Sequence, residues 1–77
     1  MFFQVYMYED KERGPEDNYE LTKSVFCDKK TLLNLIDAMC DNCKVVVYAV
    51  SERYIIEEDG QDALEAVKSS GIFEFEP

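Results

Sequence analysis

The first part of the chain has the alternating side-chain pattern of β-strands. In residues 1–8, both alternating sets of positions carry β-forming side chains, so both faces of the strand are suited to burial. This pattern predicts an interior strand. Residues 9–18 contain Gly14 and Pro15 and no large apolar side chain, so we expect an exposed loop there. Alternation resumes in residues 19–26, and the two strands are expected to pair as a hairpin with a long tip.

The middle of the chain changes from helical to extended spacing. Apolar residues recur three and four positions apart over residues 29–41, which predicts a helix with Asp28 as its N-cap. Residues 44–50 are apolar on both sides and rich in β-branched side chains, so we expect them to form the central strand. After a turn at residues 51–52, residues 53–57 are expected to form another short strand.

The last third of the chain predicts a short helix and a closing strand. The helix is expected over residues 61–69, with Asp59 as its cap and Gly71 as its C-terminal stop. Residues 72–76 alternate phenylalanine with glutamate, apart from the first residue, which predicts a strand.

These elements predict an α+β fold in a single domain over residues 1–77. The order β-β-α-β-β-α-β favours a single, mostly antiparallel sheet of about five strands, with two helices on one face. From the second strand onward the order is that of a ferredoxin-like split βαβ unit, so a ferredoxin-like variant and the strand order stay open.

The charge is strongly unbalanced towards acid, and the excess lies near the C-terminal end. Seventeen acidic and eight basic side chains give a net charge of −9, and from Glu57 onward seven acids face one base, Lys68. Apolar residues make up 47% of the chain, which indicates a folded domain rather than a disordered acidic segment. Such a charge repels nucleic acid and anionic lipid, so we expect a basic, nucleic-acid-binding protein as the partner.

The residue types that many catalytic sites need are missing or scattered. The chain has no histidine and its three glycines are isolated, so it has neither a conventional catalytic triad nor a glycine-rich phosphate loop. We therefore expect no enzymatic activity and no cofactor. The acids Glu57, Glu58, Asp59 and Asp62 lack the spacing of an EF-hand loop, and we interpret them as a solvated surface rather than a metal site.

The three cysteines predict little chemistry. Cys40 and Cys43 form a CxxC at the end of the predicted helix, where the negative pole and nearby acids disfavour a thiolate. We interpret Cys40 as a core residue and Cys43 as an ordinary loop thiol; a Cys-based metal site that also uses Cys27 is the alternative. The small, odd number of cysteines and the lack of a membrane-spanning or signal-peptide pattern predict a cytoplasmic protein.

The tyrosines are the remaining candidates for function. Alternation assigns one set of strand residues to the face that the helices cover: Phe3, Val5, Met7, Leu21, Val25, Phe73 and Phe75. Tyr6 and Tyr8 then lie on the uncovered face among carboxylates. Tyrosine rings give contact area at low entropic cost, and carboxylates can meet Lys and Arg. The predicted partner-binding residues are therefore Tyr6, Tyr8, Glu20, Tyr48, Tyr54, Glu57, Glu58, Asp59, Asp62, Glu74 and Glu76.

In size and charge the chain resembles phage-encoded anti-CRISPR and anti-restriction inhibitors, although no motif identifies a family. The resemblance implies a small viral inhibitor that blocks the basic nucleic-acid-binding surface of a target protein, partly by imitating the charge of DNA. Two further hypotheses stay open. One is an immunity protein or antitoxin that neutralises a nuclease, and the other is a small homodimeric module that buries its tyrosine face against itself.

Overall fold

The computed structural model describes residues 1–10 and 19–76. Within them the chain forms an α+β fold with a single antiparallel sheet, as predicted, although the sheet has four strands rather than about five. Residues 11–18 of the predicted exposed loop lie outside the described residues. The elements are β1 (Phe2–Asp10), β2 (Tyr19–Asp28), α1 (Lys29–Asp37), β3 (Cys43–Val50), α2 (Glu52–Asp59), α3 (Gln61–Ser70) and β4 (Ile72–Glu74).

The sheet order is β3-β1-β2-β4, which confirms β1 as an interior strand. The β1–β2 register runs from Phe2 opposite Asp28 to Asp10 opposite Tyr19, so the predicted hairpin pairing is confirmed. The register shifts between Met7 and Tyr8. Because this bulge inserts one residue into β2, side chains beyond it change face.

Helices cover both faces of the sheet, and the prediction of two helices on one face is wrong. The two alternating sets of β1 are both largely apolar, so each face needs a covering layer. On one face, α1 packs over a cluster of four buried residues: Val5, Val25, Cys27 and Leu32. On the other face, α2 and α3 pack over a second cluster: Phe26, Ile55, Ala63, Leu64 and Val67. We call these the α1 face and the α2–α3 face.

Residues 53–57 are helical rather than extended, and they belong to α2. The Ser51 hydroxyl accepts a hydrogen bond from the backbone N–H of Tyr54 at 3.1 Å, which caps the new helix. An ion pair one helical turn apart joins Arg53 to Glu57 at 2.9 Å. The ferredoxin-like variant needed a strand in this segment, so it does not form.

The strand predicted at the centre of the sheet, β3, lies at its edge. Without a strand at residues 53–57, no described strand is left to pair with its free side. The helices α2 and α3 instead carry the chain to the free side of β2, where Ile72 pairs with Cys27. The apolar side chains of β3 are therefore more exposed than those of a central strand.

The end of the chain also differs from the prediction. Gly60, not Asp59, occupies the N-cap position of α3, whereas Gly71 ends that helix in the left-handed conformation as expected. Phe73 and Phe75 pack against the α2–α3 cluster, on the face opposite to Val5. The helix α1 begins after its predicted cap, Asp28, but stops four residues earlier than the predicted end. No helix among the described residues is long and apolar enough to cross a membrane.

Candidate functional site: a tyrosine-lined groove

All five tyrosines of the chain lie on the α2–α3 face. Tyr6 and Tyr8 occupy alternate positions of β1, and Tyr48 lies opposite Gln4, which belongs to the same alternating set. Tyr54 reaches this face from α2, where it packs against the buried cluster. Lys44 lies opposite Tyr8 in the sheet, and its ammonium group is 4.0 Å from the centre of the Tyr19 ring, so the fifth tyrosine shares the face.

The two helices cover one end of this face and leave a groove open beside them. Its volume is about 780 Å³. Strands β1 and β3 form its floor, and the start of α2 forms one wall. We call it the tyrosine groove and define it by its lining residues: Gln4, Tyr6, Tyr8, Val46, Tyr48, Ala49, Val50, Ser51 and Tyr54.

Tyr6 occupies the centre of the tyrosine groove. Its ring meets those of Tyr48 and Phe75 edge to face, at centroid distances of 6.3 and 5.9 Å. Burial raises the pKa of Tyr6 above its ordinary value, and the neighbouring tyrosines and the Glu58 carboxylate raise that pKa further. Like an ordinary tyrosine, Tyr6 keeps its proton at neutral pH, so it offers a phenol hydroxyl to a ligand.

Two hydrogen-bonded contacts hold the walls in place. The Tyr54 hydroxyl donates to the side-chain oxygen of Gln4 at 3.2 Å, which joins α2 to the floor. Ser24 donates its hydroxyl to the Phe75 carbonyl at 2.6 Å and accepts the Phe75 backbone N–H at 2.9 Å through its own carbonyl. The Tyr54 side chain and the Phe75 backbone are thus held before any ligand arrives, which lowers the entropic cost of binding.

The chemistry of the groove suits apolar and cationic groups. The Tyr48 side chain is 53% exposed, so one ring is accessible to a partner. Tyrosine faces attract ammonium and guanidinium groups, and Lys44 already makes such a contact with Tyr19 on the same face.

The helical wall beside the groove is acidic. Residues 52–70 hold six acids and two bases, and both bases are in ion pairs, Arg53 with Glu57 and Lys68 with Glu52. The carboxylate of Glu58 is close enough to Tyr6 to raise its pKa. A cation in the groove would therefore meet unneutralised negative charge.

The structure does not gather all the predicted partner-binding residues. Tyr6, Tyr8, Tyr48 and Tyr54 line one groove with Glu58 nearby, and Glu57, Asp59 and Asp62 lie on the exposed sides of α2 and α3. Glu20 pairs with Glu9 on the α1 face. Glu74 and Glu76 instead line a smaller concavity of about 190 Å³ between β2 and the C-terminal segment.

The predicted partner-binding set omits five of the nine residues that line the groove and two aromatic neighbours: Gln4, Val46, Ala49, Val50, Ser51, Phe75 and Tyr19. Gln4 is only 7% exposed and forms part of the floor. It shares the alternating set of Tyr6, which is the signal that could have identified it. Phe75 was predicted to share the face of Val5, but the C-terminal segment pairs with β2 in the opposite phase, so Phe75 lies on the α2–α3 face. Tyr19 lies on this face because the bulge in β2 shifts the alternation of the residues before it.

The cysteines lie away from the groove, and the predictions of Cys40 as a core residue and of Cys43 as an ordinary loop thiol are both wrong. Cys40 is exposed and forms a disulfide with Cys43, the first residue of β3. Cys27 is a free, fully buried thiol under α1. Burial, with a smaller effect of Asp28, raises the pKa of Cys27 to about 11. The described residues contain no cluster of three potential metal ligands.

No family model, curated protein or solved structure matches the chain. Its function is therefore inferred from the groove and the acidic wall.

Proposed function

We propose that this protein is a small acidic inhibitor that occupies the basic, nucleic-acid-binding surface of another protein. The observation that carries the proposal is the open groove of four tyrosines beside an acidic helical wall. In this reading the protein acts in the cytoplasm, in the manner of phage anti-CRISPR or anti-restriction inhibitors. It imitates nucleic acid in part, because its carboxylates take the place of phosphates.

The two parts of the surface contribute differently to binding. Partly buried tyrosines make good anchors because a rigid ring loses little entropy on contact. Carboxylates on the rim mainly accelerate encounter and select a basic partner, and salt screens their effect. The combination favours a partner that inserts Lys or Arg side chains over the rings.

The protonated phenol of Tyr6 suits hydrogen bonding to a partner. A phenol with a raised pKa is a poor nucleophile and a poor proton donor at neutral pH. Its hydroxyl can still exchange hydrogen bonds with a partner, and its ring is held by Tyr48 and Phe75.

The test is capture of a partner from host lysate by immobilised wild-type protein and by matched variants. Glu58→Lys changes the charge beside the groove, and Glu20→Lys makes the same change on the α1 face. Tyr48→Ala removes the exposed ring. We expect Glu58→Lys and Tyr48→Ala to lose the partner and Glu20→Lys to keep it, with the wild-type complex weakening as salt rises.

Two results would contradict the proposal. One is equal loss in both charge variants, which indicates a nonspecific electrostatic contact. The other is a retained partner without a basic nucleic-acid-binding surface.

A further inference from the structure

The edge strand β3 has an open side in the part of the chain that the structure describes, where β1 is its one strand neighbour. Its residues 45–50 contain no charge, glycine or proline. Three consecutive side chains are exposed, Val46 by 40%, Val47 by 37% and Tyr48 by 53%. Proteins usually protect such an edge with charges, prolines or bulges, because its free N–H and C=O groups pair readily with another strand.

The charges at the two ends of β3 are complementary to each other. Lys44 lies at its N-terminal end, and Glu52, which also forms an ion pair with Lys68 of its own chain, follows its C-terminal end after Ser51. When two copies of β3 pair antiparallel about a two-fold axis, the N-terminal end of each meets the C-terminal end of the other. Lys44 of one copy then lies near Glu52 of the other. Over residues 45–50 the contact involves only apolar side chains and Tyr48.

We propose that two copies of this protein pair antiparallel along β3 and form one continuous eight-stranded sheet. The occupant is a second copy because the strand matches itself in both charge and apolar surface. Each chain has a net charge of −9, so two copies repel each other over most of their surface. Along β3 they can meet with no acid at the centre of the contact.

The pairing has a consequence for the tyrosine groove. A two-fold axis that relates antiparallel neighbours in one sheet is perpendicular to that sheet, so both copies present the same face on the same side. The two tyrosine grooves then lie side by side, because Val46 and Tyr48 of each copy flank the axis. The dimer doubles the surface available to a partner, but its existence does not depend on the proposed function.

The dependence on salt concentration distinguishes this self-association from binding to a basic partner. Two chains of net charge −9 repel each other, and screening reduces the repulsion. Self-association should therefore strengthen as salt rises, whereas binding to a basic partner should weaken.

The test is sedimentation equilibrium of the purified full chain at low and high salt. Val47→Lys places two like charges near the axis on the α1 face, away from the tyrosines. Leu33→Lys makes the same charge change on the exposed side of α1 and serves as the control. We expect Val47→Lys to raise the dimer dissociation constant at least about tenfold, and Leu33→Lys to leave the dimer intact.

Amide hydrogen exchange of the wild-type protein provides a second measurement that needs no variant. In the dimer, alternate outward-facing amides of β3 should exchange more slowly as protein concentration rises. A wild-type chain that stays monomeric at about 1 mM in high salt would overturn the proposal. A dimer that shows no protection of β3, or that both lysine variants weaken equally, would also overturn it.

Discussion

The Tyr54 hydroxyl donates a hydrogen bond to the side-chain oxygen of Gln4, 3.2 Å away. The two residues are fifty positions apart in the sequence, and their contact joins α2 to the floor of the sheet. Gln4 is 7% exposed, so water has little access to its side chain. The bond both satisfies a buried amide and sets the position of the groove wall.

Removing this donor should destabilise the fold modestly. Tyr54→Phe keeps the ring but leaves the Gln4 oxygen without its partner, at a cost of about 1–3 kcal/mol in the free energy of unfolding. Urea denaturation gives the value. The control is Tyr48→Phe, because the exposed Tyr48 hydroxyl can bond to water in either state. Equal stability of Tyr54→Phe and wild type would show that the bond contributes nothing.

A side chain at Gly71 should disturb the N-terminus of α1. Gly71 has a φ of +85°, and a Cβ atom there would lie 2.6 Å from the Thr31 hydroxyl oxygen and 3.1 Å from Oδ2 of Asp28, the N-cap of α1. We expect Gly71→Ala to cost about 2–4 kcal/mol, from backbone strain and overpacking together.

A double-mutant cycle can separate the two causes. Thr31→Ala removes the nearest obstructing atom but keeps the backbone N–H that Asp28 accepts at 2.8 Å. Gly71→Ala should therefore cost less in the Thr31→Ala background than in the wild type. Strictly additive changes in the free energy of unfolding would show that the clash is absent.

The buried thiol of Cys27 should reduce stability at alkaline pH. Its pKa rises from 9.0 to about 11 on folding, so between these values the unfolded chain releases the proton and the folded chain retains it. The contribution of the neutral thiol to the free energy of unfolding is fully present below pH 9. It is lost as the pH rises to 11, by up to about 2–3 kcal/mol.

Cys27→Ala tests this linkage. The variant is expected to be less stable at neutral pH because of the small cavity, and its stability should decline less steeply between pH 9 and 11. Urea midpoints of both proteins across this range measure the difference, and tyrosine ionisation affects both equally. Parallel pH profiles would contradict the linkage.

The Glu58 carboxylate should influence the ionisation of Tyr6. Because its negative charge contributes to the raised pKa of Tyr6, Glu58→Gln should lower that pKa towards its ordinary value. Burial is the larger cause, so only part of the shift disappears. Tyrosinate absorbance during an alkaline titration measures the change, with Tyr6→Phe to identify the signal and Glu20→Gln as the control. An unchanged Tyr6 pKa in Glu58→Gln would place the carboxylate away from the groove.

The elements with a long or capped pattern could be predicted from the sequence. The alternation of β1 continues over eight residues, and Asp28 supplies the cap that starts α1. Tyr6 and Tyr8 were assigned to one face for the same reason. These features depend on local spacing, and local spacing is visible in the sequence.

Most of the features that failed depend on neighbours distant in the sequence. Residues 53–57 are the exception: they fit a strand or a helix equally well, and the nearby Ser51, as the N-cap, decides for the helix. The apolar run of β3 is equally typical of a buried central strand and of an edge that pairs with another chain. The face of Phe75 depends on its pairing with Ser24, and no pattern within residues 72–76 reveals that pairing.

The most direct test of the account is competition between this protein and nucleic acid for the captured partner. The partner is bound to a labelled duplex, and the protein is added at increasing concentration. We predict that wild-type protein displaces the duplex, that Glu58→Lys does so far less well, and that Glu20→Lys matches the wild type. A ternary complex in which the duplex and the protein bind the partner together would contradict the account.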